Sequence, residues 1–321
     1  MTKDEFQKMV SGGPVILDGA TGTNLFAAGM PHGVSTEQWV LENPEVIQKL
    51  QRDYIEAGSQ IIYTPTFGAN RAVLSRFGLQ DHVRDMNLRL AGFSLSVSAG
   101  RALTAGDLSP TGKLPVSAGG DMPDEQIFEI YREQAAALLE AGVDLVVVES
   151  VMSVTETLIA CDAVNDAAGG KIPVIASMLS GTDGHTYYDG TVYEALPVLE
   201  SAGISAFGVN CNMNPMQLEA VVRNLTGKAK IPVLAKPNAG LPVFDKNGNA
   251  TYDMDAETFA KEMAVLYRDG ASLLGGCCGT DPDFIRTIKE YLYTNTRKSE
   301  EVESIWRRNR TRGIFLQRYP G

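Results

Sequence analysis

The sequence predicts a single parallel (β/α)8 TIM barrel, a fold of class α/β, followed by a C-terminal extension. Three observations carry this. Eight short apolar or β-branched runs alternate with amphipathic segments over residues 15–293, no linker or low-complexity stretch interrupts them, and nearly every run closes on a polar residue. The runs fall at residues 15–17, 61–64, 102–105, 145–148, 174–177, 206–209, 233–235 and 272–274. Helical patterns lie between them. Val46, Leu50 and Tyr54 follow a start at Asn43-Pro44; Phe259, Met263, Leu266 and Tyr267 precede Gly270; Phe284, Ile285, Ile288 and Leu292 follow Asp281-Pro282. A chain of 321 residues suits one core of this size. No G-x-G-x-x-G opens a helix after a strand and no G-x-x-x-x-G-K-[ST] occurs, so a nucleotide-binding sheet has no support. The predicted division is residues 1–293 as the barrel and 294–321 as the extension.

Composition removes other classes. At 44% hydrophobic and 21% charged, the chain is too apolar for a disordered protein. No apolar run approaches the roughly 18 residues of a membrane span. The first ten residues carry Asp4 and Glu5 where a signal peptide carries positive charge. The expectation is a cytoplasmic protein with no membrane partner. A net charge of −11 repels polyphosphate, so no nucleic-acid partner is expected either. The extension runs against this trend, with seven basic and three acidic residues, +4 on a body of −15. It reads as a solvated terminus, as a docking surface for an acidic partner, or as a segment packed on its own barrel or on a second subunit of a homo-oligomer, with Trp306, Ile314, Phe315 and Leu316 as anchors.

The polar strand ends carry the chemistry, because a barrel gathers them at one mouth. In strand order they are Asp18-Gly19, Thr64-Pro65-Thr66-Phe67, Gly106-Asp107, Glu149-Ser150, Ser177, Asn210-Cys211, Lys236-Pro237-Asn238-Ala239-Gly240 and Gly275-Gly276-Cys277-Cys278-Gly279. Cys211, Cys277 and Cys278 therefore converge. Adjacent cysteines suit a mutual disulfide poorly, whereas three thiols among glycines suit Zn2+ with one position left open. His32, His82 and His185 lack ligand spacing. The natural fourth ligand is a substrate thiol, whose proton zinc would displace, and this is machinery for alkylating sulfur. A redox-active vicinal pair and inert buried thiols are the alternatives. Cys161, beside Leu158 and Ile159 in a helical pattern, reads as a core thiol.

The motifs together resemble the homocysteine S-methyltransferase family. They are Leu17-Asp18-Gly19-Ala20-Thr21-Gly22-Thr23-Asn24-Leu25, Thr64-Pro65-Thr66-Phe67-Gly68-Ala69-Asn70-Arg71, Gly208-Val209-Asn210-Cys211, Pro237-Asn238-Ala239-Gly240-Leu241-Pro242 and Gly275-Gly276-Cys277-Cys278-Gly279-Thr280. The likeness runs from about residue 12 to 293 in the family's order. It is greatest toward the homocysteine-binding module of cobalamin-dependent methionine synthase. The resemblance implies zinc on Cys211, Cys277 and Cys278. It implies homocysteine gripped at Asp18, Gly19 and Ala20, with Glu149 taking its amino group. An ammonium pairs naturally with a carboxylate there, while backbone amides and Ser177 can hold the substrate carboxylate. A structural ion pair for Glu149 and a turn bonding its own backbone for Asp18 remain alternatives. Asn238 contacts the zinc, orients a ligand, or makes a turn.

The methyl donor is less determined. After the fifth run the family usually shows an acidic-Gly-Arg-Thr loop, and here the sequence reads Asp183-Gly184-His185-Thr186-Tyr187-Tyr188. Asp183-x-His185 begins like a cobalamin-ligating motif, but Tyr188 breaks it. A methylated corrinoid would then be brought by a separate corrinoid protein. S-methylmethionine or a betaine-type donor is the alternative, for which Tyr63, Phe67, Tyr187 and Tyr188 are a candidate aromatic cage. A catalytically silent barrel that binds a thiol or a corrinoid protein is the reading from a different class.

Overall fold

A computed structural model describes residues 1–244, 246 and 250–293. The chain opens with α1 (Lys3–Ser11), which starts on a reciprocal cap: the Thr2 hydroxyl accepts from the Glu5 N–H, and the Glu5 carboxylate accepts from the Thr2 N–H. Then follow β1 (Val15–Ile16), α2 (Gly22–Ala27), α3 (Thr36–Glu42), α4 (Pro44–Ala57), β2 (Ile61–Tyr63), α5 (Arg71–Leu74) and α6 (Val83–Ser98). The middle of the chain gives β3 (Leu103–Leu108), α7 (Asp124–Ala141), β4 (Leu145–Val151), α8 (Val154–Ala168), β5 (Val174–Met178) and α9 (Val192–Ser201). The rest comprises β6 (Ala206–Asn210), α10 (Pro215–Thr226), β7 (Val233–Lys236), a hairpin of β8 (Pro242–Phe244) and β9 (Ala250–Tyr252), α11 (Ala256–Arg268) and β10 (Ala271–Leu274). Helical turns run over 282–293.

Eight strands form one parallel sheet in the order β1-β10-β7-β6-β5-β4-β3-β2. A parallel bridge between Leu17 and Ile61, with the Gln60 N–H donating to the Ile16 carbonyl at 2.7 Å, joins the two ends and closes the barrel. Closure removes the exposed edges an open sheet would leave. Side chains alternate with period two. Val15, Leu17, Ile61, Ala105, Leu145, Val147, Ile175, Ala206, Leu234 and Leu273 fill the interior, while Ile16, Ile62, Val146, Val148, Ala176, Val209, Ala235 and Leu274 meet the helices. Phe6 and Val10 of α1 join the interior cluster, so this helix plugs the barrel.

All eight expected runs are strands, within a few residues. The α1 plug and the β8–β9 hairpin were not foreseen, and the capping box at Thr2-x-x-Glu5 was the available signal for α1. Two irregularities bear on the mouth. The β4–β5 register shifts between Val148 and Val151, and Ser150 there takes φ 62°, a bulge at the residue after Glu149. Cys211 and Asn212 also take left-handed φ, 59° and 43°. Such conformations in non-glycine residues concentrate where surrounding structure holds a functional side chain in place. Among the described residues, no helix is long and apolar enough to cross a membrane.

Candidate metal and thiol site

Cys211 leaves β6 and Cys277-Cys278 leave β10, and three loops lock these residues through the backbone. The Cys211 N–H donates to the Lys236 carbonyl at 2.9 Å, and the Cys277 N–H to the Pro237 carbonyl at 2.7 Å. The Ala239 N–H donates to the Cys278 carbonyl at 2.9 Å. Thr280 ties this assembly to the first strand, since its hydroxyl donates to the Cys277 carbonyl at 2.8 Å and accepts from the Ala20 N–H at 3.1 Å. Gly276 is needed because a Cβ there would run into the Thr280 side chain, and Gly279, at φ 84°, lies against the ring of Tyr252 from β9.

The three sulfurs all lie within 4.8 Å of one another, and Cys211 Sγ is 3.8 Å from Cys278 Sγ. Thiolates at about 2.3 Å around a tetrahedral ion stand about 3.8 Å apart, which the Cys211–Cys278 separation matches. The charge state fits too. Hydrogen bonds from the Cys211 and Cys277 thiols, supplemented by the Tyr252 hydroxyl, pull Cys278 down to about 3, whereas the same sharing pushes Cys277 up. The trio thus favours a thiolate at Cys278, and a metal would displace the protons left on the others.

Beside the sulfurs lies a buried ionic cluster. Lys236 at the end of β7 places Nζ 3.0 Å from Asp18 Oδ1, 3.8 Å from Glu149 Oε2 and 3.9 Å from the centre of the Tyr63 ring. Asp18 Oδ2 accepts from the Tyr63 N–H at 2.7 Å. Burial opposes charge on Lys236, but Asp18 and Glu149 outweigh it and hold the ammonium well above its ordinary range. Burial raises Glu149 against the pull of Lys236. Asp107 on β3 is raised well above the usual carboxylate range, first by burial and then by Glu149. Glu149 Oε2, Asp107 Oδ1, Ser177 Oγ and Asn238 Oδ1 are buried without a hydrogen-bond partner. Such groups are ordinarily satisfied, so this set marks a place for a polar ligand.

Every site residue expected from the sequence lies at this mouth: Asp18, Gly19 and Ala20 after β1, Glu149 on β4, Ser177 on β5, Asn238 after β7, and the three cysteines. Asp18 does not bond its own backbone; its oxygens go to β2 and β7. The proposed aromatic cage does not form as one unit. Tyr63 is buried under Lys236, while Phe67, Tyr187 and Tyr188 are exposed. Asp183 and His185 pair with each other at 3.1 Å on the surface. Cys161 is fully buried, as expected of a core thiol. Sequence reasoning gave no role to Lys236, Asp107 or Tyr252. A lysine closing the run Val233-Leu234-Ala235 was the signal for the first, but its partners come from strands far away in the chain.

The family profile for homocysteine S-methyltransferase matches residues 15–292. The chain belongs to the homocysteine S-methyltransferase family. It is 31% identical over 287 residues to methionine synthase of Mycobacterium leprae, covering 84% of this chain and 24% of that protein. It is 30% identical over 301 residues to methionine synthase of Mycobacterium tuberculosis, covering 89% and 25%. The chain therefore spans about a quarter of the length of these relatives. Among solved structures, the homocysteine methyltransferase MmuM from Escherichia coli in its metallated form superposes with a TM-score of 0.72 at 23% identity, over 87% of this chain and 96% of that one. At that identity the likeness supports the family's barrel and no more.

Proposed function

We propose that this family member transfers a methyl group to the sulfur of homocysteine or a related small thiol, giving methionine or the corresponding thioether. The observation that carries the reading is the convergence of Cys211, Cys277 and Cys278 within 4.8 Å, beside a buried mouth rich in carboxylates. The ion we assign to the three cysteines is Zn2+, which when bound acts as a Lewis acid and favours the thiolate form of a coordinated substrate thiol at neutral pH.

The chain's own residues position the acceptor. Asp18, Gly19 and Ala20 line one side of its seat, Glu149 and Asp107 offer carboxyl oxygens toward its amino end, and Ser177 and Asn238 supply unpartnered polar groups. The acceptor sulfur attacks the donor's methyl carbon, the new S–C bond forms as the donor's bond to that carbon breaks, and the thiol proton leaves. Holding sulfur and methyl in line is what a rigid barrel mouth contributes. No covalent enzyme intermediate is required.

The likeness to methionine synthases supports a methylated corrinoid as donor, carried by a protein module outside this barrel. The basic segment 294–321 lies outside the described residues. Its charge of +4 suits an acidic face on such a module, an effect on association rate more than on final affinity. The test is anaerobic. Zinc-loaded protein is offered homocysteine with methylcobalamin, S-methylmethionine or betaine, and methionine is measured in a single turnover. Product from methylcobalamin supports the reading, product from another donor replaces the corrinoid, and thiol binding without product from any donor indicates a silent barrel.

A further inference from the structure

The acidic mouth does not wait with two free carboxylates for a substrate ammonium. Asp18 Oδ2 accepts from the Tyr63 N–H at 2.7 Å, and Oδ1, which has no hydrogen-bond partner, is ion-paired with Lys236 Nζ at 3.0 Å. Glu149 reaches the same ammonium at 3.8 Å, and the face of Tyr63 closes another side at 3.9 Å. Lys236 is thereby held as substrate ammonium groups are held, between two carboxylates and an aromatic ring. It is buried, and a buried ammonium stays put only while so paired. The third carboxyl, Asp107, is buried as well, and burial first and then Glu149 raise it well above the usual carboxylate range.

We propose that Lys236 is a specificity-determining residue: its ammonium occupies the position between Asp18 and Glu149 where a substrate α-ammonium would bind, so the site takes ω-thiol carboxylates lacking the amino group as well as homocysteine. This rests on the thiol-acceptor reading above and narrows it to a substrate class. A second ammonium entering this space meets Lys236 as a like charge and shares Glu149 with it, which weakens the reward for carrying an amino group. Thiol and carboxylate, which every member of the class retains, then dominate recognition.

The experiment compares L-homocysteine with 4-sulfanylbutanoate, the same chain without its amino group, by calorimetric titration of the zinc-loaded full chain. Binding needs no methyl donor, so the result does not depend on which donor is used. For the wild type, the two dissociation constants are expected within about tenfold, a difference of no more than about 1.4 kcal/mol. In Lys236→Met the ratio should shift toward homocysteine by at least about tenfold, because the carboxylates are released for the substrate ammonium. Lys236→Arg, which keeps the charge, should leave the wild-type ratio. A merely structural role for the lysine would weaken both thiols together and leave the ratio fixed, which overturns the proposal. So does a wild-type preference for homocysteine above about a hundredfold, a result that stands even if the methionine variant does not fold. If the zinc-loaded wild type binds neither thiol, the acceptor reading falls and this inference with it; normal homocysteine binding with the wrong ratio removes this inference alone.

Discussion

At the scale of single residues, the cysteines and the carboxyls make separate predictions. Cys278 is the sulfur that its contacts with Cys211 and Cys277 lower most, to about 3, so it is the member of the trio that most favours the thiolate. Cys278→Ala should therefore lose bound zinc during anaerobic purification, since two thiolates hold the ion far more weakly than three. Metal analysis showing full zinc in that variant would remove the site assignment. Asp107 predicts a pH effect. Its pKa is raised in the folded state, so the fold binds a proton that the unfolded chain releases above its ordinary value of 3.8. The stabilising contribution is whole below that value and declines as pH rises toward the folded pKa. Asp107→Asn does not titrate, so its melting temperature relative to wild type should climb as the buffer moves from about pH 4 to pH 8. A constant difference would show that Asp107 ionises normally.

At the scale of elements, the mouth is built by loops that bond each other more than by the strands that lead to them. Thr280 is the hinge pin between the loop after β10 and the loop after β1, through Cys277 and Ala20. Thr280→Ala leaves the buried Ala20 N–H without a partner and removes one of the two hydrogen bonds to the Cys277 carbonyl, which should cost about 1–3 kcal/mol of stability in urea titration. Zinc affinity should fall with it, because the Cys277 backbone loses one of its three hydrogen bonds, the others being its N–H to the Pro237 carbonyl and its carbonyl from the Thr280 N–H. Unchanged zinc affinity would mean that the cysteine loop is positioned from the β7 side alone. The β8–β9 hairpin adds a further support. Tyr252 bonds Cys278 and lies over Gly279, so an element with mostly exposed side chains reaches the cysteine cluster through one aromatic ring.

At the scale of the whole molecule, stability and chemistry sit at opposite ends of one barrel. Phe6 plugs the end away from the strand termini, inside the interior cluster with Val15, Leu145 and Ala206. Phe6→Ala should cost about 3–5 kcal/mol, the usual range for emptying a buried aromatic site. Zinc content should stay at the wild-type level below the melting transition. Loss of zinc from a folded Phe6→Ala protein would show that the two ends are coupled. Acidic charge is spread over the body, and the basic residues of 294–321 are concentrated in one segment. Truncation after Tyr293 should slow reaction with a corrinoid protein at low salt if that segment receives the donor, and change the oligomeric state if it packs on a second subunit.

The sequence by itself determined the barrel and the convergence of the three cysteines. Eight period-two runs separated by helical patterns admit few other closed folds, and Asn210-Cys211 and the Cys277-Cys278 pair stand at strand ends, where a barrel's topology gathers them whatever the details. Asp18 and Glu149 were legible for the same reason. Only the tertiary structure decided what those carboxylates do before substrate arrives. Lys236, Asp18, Glu149 and Tyr63 come from four different strands or their ends, and their meeting depends on register, on the bulge at Ser150 and on the closure between Leu17 and Ile61. Local pattern reports which face a side chain takes, whereas the distance between side chains on separate strands is set by how the sheet twists and closes. For the same reason the four candidate aromatics, uniform in sequence, separate into one buried under a lysine and three on the surface.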